Sequence, residues 1–92
     1  MEKEELKSRV ADNIAFYRKR AGLTQLELAE KLNYSDKAIS KWERGDGLPD
    51  LVVLNEMANI FGININDFTL NNYYFNNFFS FNMCFNIINI FC

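Results

Sequence analysis

The tightest constraint on this chain is a break of only two residues, Asn33-Tyr34, between two short amphipathic segments. Upstream, Thr24 and Glu27 have the spacing of a capping box, so a helix should start there, with Leu28, Ala29 and Leu32 as its buried face. Downstream, Ser35 is a good N-cap for a helix running to about Arg44. Two short helices joined this tightly cross steeply, and the second then projects from the body of the domain.

The flanking sequence supplies that body. Leu6, Val10, Ile14, Tyr17 and Ala21 recur at spacings of three and four, which predicts a first amphipathic helix stopped by Gly22. Arg44-Gly45-Asp46-Gly47 reads as a loop, and Pro49-Asp50 opens a fourth helix. In that helix Leu51, Leu54, Met57, Ala58 and Phe61 are the expected inward positions, with Gly62 as the stop. Asn64 then caps a short fifth helix containing Ile65 and Phe68. The expected fold is all-α, with five helices in a domain over residues 1–69.

Composition narrows the chemistry. There is no histidine, hence neither the commonest general base nor the commonest zinc ligand. Cys84 and Cys92 lack metal-type spacing, and no nucleophile constellation or phosphate-cradling glycine loop is present. The reading is therefore of a non-enzyme without metal or cofactor. The N-terminus shows no apolar signal-peptide region, and the cysteines read as reduced thiols, which points to the cytoplasm. The net charge of −2 hides a polarity: residues 1–44 hold all ten Lys and Arg and sum to +2, and the remainder sums to −4. A local basic face is thereby permitted but not required.

Residues 70–92 differ in kind. LNNYYFNNFFSFNMCFNIINIFC has no charge, Gly or Pro and is an uncharged Asn/Phe-rich tail of unknown role. Three readings stay open. As a membrane span its seven asparagines are costly, and basic flanks are lacking. As a strand or aggregation-prone segment it has the β-favouring aromatics and the absence of charge. As read-through or out-of-frame translation of AT-rich DNA it would have no evolved role.

At about 100° per residue, Ala38, Ile39 and Trp42 fall on one arc of the helix starting at Ser35. Asp36, Lys37, Ser40, Lys41 and Arg44 occupy a separate arc of about 140°, and Glu43 lies at the boundary. The first arc is a core face. The second is either an ordinary solvated face or a surface for a polyanion. A projecting helix of this kind fits the major groove, with Lys37 and Lys41 one turn apart.

The run TQLELAEKLNYSDKAISKWERGDGLPDLVVLNEMANIFGI resembles the Cro/repressor-type helix-turn-helix family of prokaryotic and phage transcriptional regulators. The matching features are Arg18, Leu23-Thr24-Gln25, Leu28-Ala29, Ile39 through Gly45, Pro49 and the Ala58…Phe61-Gly62-Ile63 end, within about residues 10–69. The resemblance implies a λ-repressor-like domain that binds double-stranded DNA sequence-specifically, acting as a repressor and as a homodimer on a pseudo-palindromic operator. It implies a phosphate contact for Gln25, base contacts for Asp36, Lys37, Ser40 and Lys41 beside the cap Ser35, and a backbone contact for Arg44. Arg18 and Glu43 match an internal ion pair of the family. A second reading, from the same resemblance, is a protein-interaction module such as an antirepressor or antitoxin.

Overall fold

The computed structural model describes residues 2–70, which form four α-helices and one 3-10 helix. These are α1 (Lys3–Arg20), α2 (Gln25–Leu32), α3 (Asp36–Glu43), α4 (Leu51–Phe61) and the 3-10 helix Ile65–Thr69. The short fifth helix after Asn64 is thus of the 3-10 kind. The readings for the tail lie outside the described residues. Among the described residues, no helix is long and apolar enough to cross a membrane.

Local chemistry sets most of the helix ends. Thr24 Oγ1 accepts from the Glu27 amide at 3.0 Å while Glu27 Oε1 accepts from the Thr24 amide at 2.8 Å, a reciprocal capping box. Ser35 and Asp50 cap α3 and α4 by accepting from the amides of Ala38 and Val53. After α1, Gly22 turns left-handed (φ 75°), so that Leu23 N–H reaches the Arg18 carbonyl and Gly22 N–H that of Lys19. Asn33 adopts the same conformation (φ 60°) after α2, where Tyr34 N–H reaches the Ala29 carbonyl. A left-handed residue here makes the two-residue connection possible: it turns the chain sharply while satisfying the last carbonyls of α2.

The core forms where these helices meet. Ile14, Leu28, Ala29, Ile39 and Met57 are fully buried, with Val10, Leu32, Trp42, Val53, Ala58, Phe61 and Phe68 around them. α1 packs against α3 and the 3-10 helix, and α2 packs against α3 and α4. Two expected core positions are corrected. Ala21 caps the end of α1 and is exposed, because the helix stops one residue before the stripe would have continued. Leu51 is 71% exposed. In the opening turn of α4 it falls just past the edge of the buried arc, and Val53, absent from the expected stripe, points inward instead.

One buried polar residue went unforeseen. Asn13, fully enclosed on α1, donates through Nδ2 to the carbonyls of Phe68 and Leu70, both at 2.8 Å. It satisfies carbonyls at the end of the 3-10 helix that have no helical partner, and so fastens the C-terminal edge of the domain to α1.

Beside it, the Tyr17 ring packs on Phe61 and Phe68, both with centroids at 6.1 Å, and carries the Arg20 guanidinium 4.8 Å over its own face. Burial, reinforced by the Asp67 carboxylate and opposed by Arg20, pushes the Tyr17 phenol up to about 12. In the unfolded chain a phenol loses its proton near pH 10. The contribution of this group to stability is therefore intact below pH 10 and is lost as pH rises from there towards 12. Urea titrations across this window should show stability falling in the wild type and a shallower fall in Tyr17→Phe. Parallel curves would remove Tyr17 as the cause.

Candidate nucleic-acid interface

The candidate site begins with the placement of α3. Its inward side is Ile39, completely buried, Trp42, 8% exposed, and the half-buried Ala38. Tyr34, in the connection, meets the Trp42 ring edge-on at 5.3 Å, so the break itself is packed onto the helix it introduces.

At its C-terminal end α3 is held by a polar cluster. Arg18 Nε and Nη2 lie 2.6 and 3.1 Å from the two carboxylate oxygens of Glu43, a bidentate pair with side chains 11% and 9% exposed. Arg18 Nη1 donates to the Leu23 carbonyl at 2.9 Å, and Gln25 Nε2 donates to Glu43 Oε1 at 3.0 Å. The Arg18–Glu43 pair thus gathers α1, the α1–α2 turn and the first residue of α2 onto α3. Gln25 opens α2, where unpaired amides and the helix dipole favour an anion, but its amide nitrogen is turned inward to Glu43. Its carbonyl oxygen and second N–H are not committed by that bond.

The opposite side of α3 faces solvent. Asp36, Lys37, Lys41 and Arg44 are exposed and Ser40 is half-buried. Ser35 is exposed, and its hydroxyl oxygen is used as the cap, which leaves its hydrogen to donate. Residues 36, 37, 40, 41 and 44 therefore lie on the outward side of α3, Ser35 is exposed at its N-terminal cap, and Gln25 is tied to its C-terminal end through Glu43. Asp36 in the first turn and Lys41 in the last turn also suit the helix dipole.

Two neighbours were missed by sequence reasoning. A Cβ at Gly47 would come within 3.0 Å of Lys41 Cε, so the lysine stem lies across this glycine. Asp46 accepts from Arg44 Nε at 3.0 Å, while Arg44 Nη1 donates to Ser40 Oγ at 2.6 Å. The signal in sequence was only a loop, since nothing in Gly45-Asp46-Gly47 says that it folds back beside the helix. Left-handed Gly45 (φ 76°) makes that return, with Asp46 N–H on the Lys41 carbonyl.

Comparison with known proteins agrees with this geometry. Residues 14–68 match the helix-turn-helix family. The chain is 44% identical over 45 residues to the HTH-type transcriptional activator BcrR of Enterococcus faecalis, a match covering 49% of this chain and 22% of BcrR. Among solved structures it is similar to the SOS-response transcriptional repressor LexA from Eubacterium rectale, with 27% identity, 77% and 76% of the two chains covered and a TM-score of 0.70. A hypothetical transcription factor, NHTF, from Neisseria shares 25% identity over 76% of this chain and 82% of its own, with a TM-score of 0.66. The clp gene regulator ClgR from C. glutamicum also shares 25% identity, covering 68% and 82% of the two chains, with a TM-score of 0.62. The chain belongs to the helix-turn-helix family, and its domain is of the Cro/repressor type found in transcriptional regulators.

The clamp on α3 has a measurable consequence. Glu43→Ala leaves the enclosed Arg18 guanidinium without its carboxylate and should cost about 3 kcal/mol, the order expected for breaking a buried pair. Lys37→Ala, on the exposed arc, should change stability by less than about 0.5 kcal/mol. Equal melting temperatures for the two variants would show that the pair does not hold the helix.

Proposed function

We propose that this chain is a sequence-specific DNA-binding regulator of transcription that lays α3 in the major groove. The observation that carries this reading is the division of α3. One side is anchored by Ile39, Trp42 and the Glu43 clamp, and the other presents Lys37, Ser40, Lys41 and Arg44 together. Lys37 and Lys41 suit guanine O6 and N7, Asp36 suits the amino group of cytosine, and Ser40 suits either kind of edge. Arg44, Gln25 and the hydroxyl of Ser35 hold the phosphate backbone and set register.

The partner is double-stranded DNA in the cytoplasm, read as a pseudo-palindromic operator by a homodimer. Support for the dimer comes from α4. Leu51 and Val52 are 71% and 67% exposed and, with Asn55 and Ile65, line a depression free of charged side chains. A twofold contact sets this patch against its own copy, so no like charges oppose each other. Leu51→Glu should shift the sedimenting species from dimer to monomer and weaken operator binding, with helical content unchanged. A wild type that stays monomeric on its operator would refute the dimer.

Repression is the regulatory sign we propose, since occupancy of a promoter by such a domain is enough to obstruct transcription. The word activator belongs to BcrR, of whose length this chain spans 22%. Selection from a random duplex library tests the main reading. Lys41→Ala should lose about 1–3 kcal/mol of binding to the selected site and relax preference at one base pair. Equal affinity for the selected and a scrambled duplex would sink it. A stable complex with a protein partner and no DNA retardation would favour the antirepressor or antitoxin reading instead.

A further inference from the structure

The Arg44 guanidinium has an unexpected arrangement for a residue expected to reach a phosphate. Its Nε is 3.0 Å from Asp46 Oδ2 and its Nη1 is 2.6 Å from Ser40 Oγ. Asp46 thus fixes the guanidinium from the loop, and the guanidinium in turn fixes the Ser40 hydroxyl. Arg44 and Asp46 side chains are 60% and 58% exposed and Ser40 is half-buried beside them, so the guanidinium and the carboxylate are open to solvent and are not buried as structural glue. A planar guanidinium suits this work: with two of its five N–H donors used here, three remain for a phosphate.

We infer that Asp46 and Arg44 form a positioning relay that makes Ser40 read its base as a hydrogen-bond donor. This rests on α3 lying in the major groove. A serine hydroxyl is by itself ambiguous, able to donate to an acceptor edge or to accept from an amino group. Accepting from a cationic donor at 2.6 Å takes one of the oxygen's two lone pairs and turns the O–H hydrogen away from Arg44, towards the open side. The charge-assisted bond also strengthens that hydrogen as a donor. The bases that answer it offer acceptors in the major groove: guanine through O6 and N7, adenine through N7, thymine through O4. Cytosine, whose exposed group there is an amino donor, is disfavoured. Asp46 makes no base contact itself. It sets the polarity of one that Ser40 makes.

The test compares base preferences, determined by library selection, for the full chain and four variants: Ser40→Ala, Arg44→Lys, Asp46→Asn and Ser40→Ala with Asp46→Asn. Circular dichroism on each checks that the changes leave the helices intact. Ser40→Ala should lose about tenfold discrimination against cytosine at one base pair. Asp46→Asn should lose about threefold at that same base pair and nowhere else, in keeping with an exposed ion pair. Arg44→Lys retains the charge but not the fork, and should lose preference at that base pair over and above any even loss of affinity across all sequences. The double variant should be no worse than Ser40→Ala alone. If Asp46→Asn instead tightens binding evenly on all sequences and steepens the salt dependence by about one unit, Asp46 only repels phosphate and the relay is refuted. Unchanged preference in Asp46→Asn and Arg44→Lys refutes it too. A wild type with no DNA affinity at any salt concentration overturns the DNA-binding reading itself, a separate outcome.

Discussion

The bidentate pair between Arg18 and Glu43 is the contact on which the arrangement of the other parts depends. Both side chains are almost wholly enclosed, so each has given up hydration that only a well-matched partner returns. The pair is not left to itself. Arg18 also bonds the Leu23 carbonyl, and Gln25 supplies a further donor to Glu43. Four segments converge there: the end of α1, the turn after it, the start of α2 and the end of α3. A hydrophobic contact would tolerate a slip of one helix on another, whereas a guanidinium fork on a carboxylate does not. Ile39 and Trp42 turn one face of α3 to the core, and the ion pair locks that rotation by tying the end of the helix to α1. Rotation decides which side chains face outward.

Fold and function are therefore coupled through one helix of eight residues. Everything that makes α3 rigid lies on one half of its circumference, and everything that makes it chemically useful lies on the other. The clamp sits at the boundary, where Glu43 also reaches Gln25, the residue proposed to meet a phosphate. A change in the backbone contact at α2 would be felt at the end of α3 through a single carboxylate. The charge of the chain is polarised along its length: the basic part contains α3, and the acids that follow are Asp46, beside Arg44, and Asp50, Glu56 and Asp67, in and around α4 and the 3-10 helix.

Much of this was legible in the residues because it is local. The Thr24–Glu27 box, the Ser35 and Asp50 caps and the stops at Gly22 and Gly62 all act over three to six positions, and the structure forms them. The arc of Ala38, Ile39 and Trp42 follows from helical geometry alone, as does the boundary position of Glu43. Failures came where local periodicity meets an element's end. Ala21 continues the stripe of α1 by spacing but lies outside the helix, and Leu51 sits on the first turn of α4, just off its buried arc. Asn13 could not have been found this way, since its partners are carbonyls 55 and 57 residues away.

What the sequence by itself determined is the set of helices, their faces and the family resemblance, because caps, stops and apolar spacing are short-range effects that no distant residue has to supply. Which groups touch across those helices was decided only by the tertiary structure. Gln25 turns towards Glu43, Arg44 divides itself between Ser40 and Asp46, and Lys41 lies over Gly47. Each of these depends on the crossing of α1, α2 and α3 and on the return of the loop after Gly45. Spacing along the chain says which residues share a helix face. It does not say what waits opposite that face, and for the polar residues of α3 that is what sets their roles.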